Sequence, residues 1–185
     1  MASKANGGGA RIPWRIIGWG AAVTLLVLPF LAMQFTSDVN WTAADFIVFA
    51  VMLLAVGVPL ELAARYGGNR AYLAAVALAL LGGFFVTWVN LAVGIVGSEH
   101  NPANNLFFVA LLVGVAGAAL ARFRARGMSI AMAATTLGLA LAFGIAVSGR
   151  TDEPHVSHLV ELAGTSVFAA LLVASACLFK RAAKP

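Results

Sequence analysis

Six stretches of the chain, at residues 14–35, 43–64, 71–96, 103–122, 128–147 and 158–179, are almost wholly apolar and are separated only by short polar connections. A hydrocarbon core of ~30 Å is crossed by about 20 such residues in a helix, within a range of about 17 to 25. Each stretch therefore meets the requirement for a membrane span. Lipid offers no partner to an open backbone N–H or C=O, which makes helices the expected form of every span. Composition excludes the soluble alternative. Only 10% of the 185 residues are charged and 62% are hydrophobic, whereas a soluble domain keeps about 25% charged. The expected fold is all-α: a polytopic bundle of six transmembrane helices, arranged as three hairpins pointing outward. Residues 1–13 read as a flexible cytoplasmic N-terminus, 14–180 as a single six-helix domain and 181–185 as a cytoplasmic tail. The first run follows a basic segment but is longer than a signal-peptide core and lacks a small-x-small cleavage site, so it reads as an uncleaved span.

Lysine and arginine orient such a bundle, because short basic loops stay on the cytoplasmic side. Alternate connections hold Lys4, Arg11 and Arg15, then Arg65 and Arg70, then Arg122, Arg124 and Arg126, then Lys180, Arg181 and Lys184; of the 12 basic residues only Arg150 falls on the other side. Most acids do the opposite, with Asp38, Asp45, Glu99, Asp152, Glu153 and Glu161 on the expected outer side. Both termini are therefore expected in the cytoplasm. The net charge of +5 is dispersed among topology-determining loops, so no nucleic-acid partner is expected. The bilayer, other membrane proteins and the chain itself are the expected partners.

Helices in lipid associate largely through close packing at small residues. Ala71, Ala75, Ala79 and Gly83 recur every fourth residue in the third span, and Ala134, Gly138 and Ala142 do so in the fifth. These stripes read as packing seams, with self-association as the sharper alternative. Glu61 stands four residues before Arg65, the spacing of an ion pair within one helix. Asn90 is the deepest strong hydrogen-bonding side chain and is expected to bond across to another helix, with Thr135 or Thr136 as suitable partners. Transporters and pumps carry ionisable groups inside the hydrocarbon, and this chain has almost none there.

Chemistry-bearing residues gather instead on the expected outer face. His155, His158 and Glu161 are spaced three apart, and imidazole with carboxylate suits zinc or copper. They are weak candidates for a metal site, because no high-specificity ligand motif accompanies them. Asp45, Asn90, Glu99 and Glu161 are candidates for the rim of an acidic vestibule that gathers cations. No catalytic motif and no cofactor-binding fingerprint is present, so no cofactor is expected.

The runs WVNLAVGIVGSE at 88–99 and NPANN at 101–105, with FTSDVNW before the second span and ELAAR closing it, resemble a family of small multi-pass bacterial membrane proteins without a known activity. The resemblance implies an inner-membrane location and transfers no catalytic residue. His100 stands where that family usually has an acid, which weakens a ligand role for it. The expected function is that of an accessory or scaffold subunit. A small channel or transporter with an acidic outer vestibule is the alternative, and an outward-facing metal site comes third.

Overall fold

The computed structural model describes residues 14–66, 69–149 and 157–184, and helices are the only regular secondary structure among them. In chain order these are α1 (Trp14–Phe35), α2 (Ala43–Tyr66), α3 (Arg70–Ala92), a short 3-10 turn at Pro102–Asn104, α4 (Asn105–Leu120), α5 (Ala125–Ser148) and α6 (His158–Ala182). Among the described residues six segments are long and apolar enough to cross a membrane, the fourth counted with its 3-10 turn, which makes this a multi-pass helical membrane protein. Polar residues set the helix starts. Asn69 accepts from the Tyr72 amide at 2.7 Å ahead of α3, and Ser157 accepts from the Leu159 amide ahead of α6. At α2, Thr42 and Asp45 form a reciprocal capping pair, in which the Asp45 carboxylate receives the Thr42 amide at 2.7 Å and the Thr42 hydroxyl at 2.8 Å. Glu61 and Arg65 pair at 2.6 Å along α2.

The chain divides into two compact units, one ending at Gly57 and the other beginning at Val58. In the first, the Trp19 ring lies where a Cβ on Gly57 would come within 3.0 Å of it, and Trp41 meets Phe46 and Phe49 edge-on. No residue of α1 is buried.

The second unit owes its shape to small residues. α6 packs against α3 and α5, and α5 packs against α4, whereas α3 and α4 barely touch despite being consecutive. Ala75 is fully buried, and its carbonyl accepts from the Ser175 hydroxyl of α6 at 2.7 Å. A Cβ on Gly82 would meet Leu172 at 3.3 Å, whereas one on Gly83 would reach only Leu111 at 4.0 Å. The buried face of α3 therefore continues through Gly82, Val86 and Asn90, with Ala71, Ala79 and Gly83 half-buried beside it. On α5, Ala142 is buried and Gly138 half-buried, while Ala134 faces outward and Thr135 takes the inward position.

The closest approach is between α4 and α5. Added Cβ atoms would come within 2.8 Å of Ala131 from Gly117 and within 3.0 Å of Ala110 from Gly138. Phe107, Leu139, Leu172 and Phe179 fill the remaining interior. At one end of the unit, the Tyr72 hydroxyl donates to the Phe123 carbonyl at 2.8 Å and the Tyr72 ring meets Phe179 edge-on. That contact holds the turn between α4 and α5, where Arg122 and Phe123 both adopt left-handed φ values of 49 and 57 degrees. Two backbone bonds close the turn, from Phe123 to Ala118 and from Arg122 to Ala119.

Because Gly117 faces a backbone-anchored methyl, Gly117→Val is expected to lower stability by about 1–3 kcal/mol through overpacking. Unfolding in detergent micelles measures this, and Gly144→Val, with nothing within 4 Å of an added Cβ, serves as the tolerant control.

Candidate functional site

Four buried polar side chains of the second unit, Asn90, Asn101, Asn104 and Glu161, converge on the connection between α3 and α4. The apolar run through VGIV invites a helix to Val96, but α3 stops at Ala92 because Gly94 and Gly97 take φ values of 77 and 70 degrees. Gly94 is required there on a second ground. A Cβ would lie 2.5 Å from the Ser98 carbonyl oxygen and 2.7 Å from the Asn104 amide nitrogen.

The segment after Gly94 turns inward, burying Ile95 and Val96. Backbone removed from water needs partners for its N–H and C=O groups, and side-chain amides supply them. Asn104 is the hub. Its Oδ1 accepts from the Ile95 and Val96 amides at 3.2 and 3.0 Å. Its Nδ2 donates to the Val96 and Ser98 carbonyls at 3.2 and 2.8 Å. Asn101 donates to the Val96 carbonyl at 3.1 Å and accepts from the Ala103 amide at 3.0 Å, starting the 3-10 turn. Both asparagines are buried.

Asn90 reaches the same loop, donating to the Asn104 carbonyl at 2.9 Å. The expected bond to Thr135 or Thr136 does not form. Those hydroxyls bond back to Ala131 and Met132 within α5, which satisfies them locally. Asn90 Oδ1 is buried without a hydrogen-bond partner among the described residues.

The last strap comes from α6. Glu161 Oε1 accepts from the Gly97 amide at 2.8 Å, and Oε2 lies 2.9 Å from His158 Nδ1. Only 5% of the Glu161 side chain is exposed, against 68% for His158. The carboxylate is thus spent on holding the loop, with the imidazole as a solvent-facing cover. This arrangement fits a structural clasp better than a vestibule. Glu99 sits exposed on the loop, 3.5 Å from His100, and Asp45 is bound at the start of its own helix in the other unit. As for a metal centre, His158 and Glu161 do stand together, but no group of three His, Cys, Asp or Glu side chains suited to a metal exists among the described residues. His155 lies outside the described residues. Sequence reasoning noted Asn101 and Asn104 within the NPANN run but did not place either among the candidate site residues. The signal was present as Asn-Pro followed by paired asparagines between two spans, a turn-and-cap composition.

Asn104→Ala strands two amides and weakens the pairing of two carbonyls, at about 1–3 kcal/mol for each buried group left unmade. It is expected to destabilise more than any other single polar change in the unit, and hydrogen exchange at Ile95 and Val96 should accelerate with it. Glu161→Ala is expected to loosen Gly97 in the same assay. His158→Ala is expected to change little, because a contact made by a largely exposed partner is worth about 0–1 kcal/mol even when charged. Equal effects of Glu161→Ala and His158→Ala would contradict the clasp. Comparison of the chain with known protein families, with curated proteins and with solved structures finds no match, so the reading of this site rests on its own geometry.

Proposed function

We propose that the chain is an accessory or scaffold subunit of a bacterial inner membrane, with both termini in the cytoplasm, and that α1 is the helix through which it meets another membrane protein. The observation that carries this is a contrast in packing. α3 to α6 fill their interior with small and apolar side chains, and most of the polar side chains there are spent on their own backbone. α1 contributes no buried residue at all, and its Gly18 and Gly20 have open space beside them. Exposed glycine in a lipid-facing helix gains nothing from lipid, whereas it lets another helix approach closely. The charge distribution supports the orientation. The basic loops alternate with the acidic ones along the chain.

The channel reading draws on one observation, the unpartnered Oδ1 of Asn90 beneath a broken helix end. Against it stands the filled interior.

A photo-crosslinking residue at Val23 or Leu25 of α1, both exposed, is expected to capture a stoichiometric partner in native membranes, while the same probe at buried Leu139 captures none. A protein that copurifies with nothing and passes ions across liposomes, losing that flux in Asn90→Ala, would sink the subunit reading in favour of the channel.

A further inference from the structure

Three segments remote in sequence bring their positive charges to one end of the α3–α6 unit. The start of α3, the α4–α5 turn and the end of α6 are tied together there. The Tyr72 hydroxyl bonds Phe123, the Tyr72 ring meets Phe179, and Asn69 donates to the Ala182 carbonyl at 3.5 Å. Arg70, Arg122, Arg124, Arg126, Lys180 and Arg181 are all exposed at this end. None of them is in an ion pair among the described residues. Glu61, the one acid near the basic end of its own helix, is already paired with Arg65.

Two features go beyond what orienting the chain requires. The first is local electrostatics. α5 starts at Ala125, the preceding Arg124 gives it no side-chain cap and its first turn holds no acid, so Arg124 and Arg126 stand at the positive end of a helix dipole, where cations are disfavoured. The second is the turn itself. Arg122 and Phe123 hold left-handed backbone, which costs about 1–2 kcal/mol per non-glycine residue. Tyr72 pins this turn, presenting arginines on either side of a Phe123 that is 63% exposed. Guanidinium groups beside an exposed aromatic ring suit an amphiphile with an anionic oxygen head and an apolar body.

We propose that this end is a binding surface for the phosphate headgroups of anionic phospholipids, with Arg122, Arg124 and Arg126 as the principal contacts and Lys180 and Arg181 beside them. The unmatched charge at the start of α5 is neutralised by the phosphate, and Phe123 enters the boundary of the acyl chains. The proposal depends on membrane insertion and not on the partnership of α1.

The test uses the full chain in nanodiscs of phosphatidylcholine and phosphatidylglycerol in equal parts, with lipids that stay bound after detergent extraction identified by native mass spectrometry. Phosphatidylglycerol is expected to be enriched over phosphatidylcholine, with the enrichment falling as salt rises. Each cation near a membrane surface is worth about fivefold, so the combined variant Arg122→Gln, Arg124→Gln and Arg126→Gln is expected to lower the enrichment by about tenfold or more. If that variant fails to insert, Lys180→Gln with Arg181→Gln takes its place with a smaller loss. Equal retention of the two lipids by the native chain overturns the proposal. So does unchanged enrichment in a correctly inserted variant, which would leave these residues a role in topology alone. Preferential retention of an added acidic peptide over phosphatidylglycerol also overturns it.

Discussion

The constraint on which this structure depends is the need to pair every backbone amide and carbonyl in a medium that offers no water. Within the helices the requirement is met automatically. It becomes expensive only where the chain leaves helical geometry while still buried, which happens after α3. There the side chains of Asn104 and Asn101, and the carboxylate of Glu161, replace the bonds that a longer helix would have made. The buried asparagines and the buried glutamate of the second unit are therefore concentrated where the backbone is least self-sufficient.

A second constraint shapes the packing. Lipid removes the usual hydrophobic reward for bringing two helices together, so contact has to come from surfaces that fit closely. Gly117 against Ala131 and Gly138 against Ala110 provide that fit between α4 and α5. Hydroxyls add to it without costing an unsatisfied group. Ser175 and Ser129 each bond a carbonyl on the neighbouring helix at 2.7 and 2.8 Å.

Much of this was legible in the sequence, and the limits have physical causes. Apolar length located all six helices, because a span must be continuous and uncharged to cross hydrocarbon. The end of α3 was misjudged, since Val93 to Val96 is as apolar as the helix before it and only the positive φ at Gly94 and Gly97 breaks the run. The partner of Asn90 was missed because side-chain hydroxyls in helices bond their own turn. The carbonyl it meets at Asn104 belongs to backbone whose course depends on that same break. The fourfold stripe in α3 drifted from Gly83 to Gly82, because a real helix turns every 3.6 residues and the buried face follows that period. The seam on α4 escaped notice altogether. Glycines among leucines and valines look like ordinary apolar filling until the neighbouring helix is placed.

The strap from Glu161 to Gly97 joins residues 64 positions apart, and the one from Ser175 to Ala75 joins residues 100 apart. Chains enter the membrane in order of synthesis, so α3 and its loop are laid down well before the helix that secures them. Until α6 arrives, the Gly97 amide lacks its carboxylate and the buried face of α3 lacks its mate. The connection after α3 and the packing of its buried face are therefore complete only when α6 is in place.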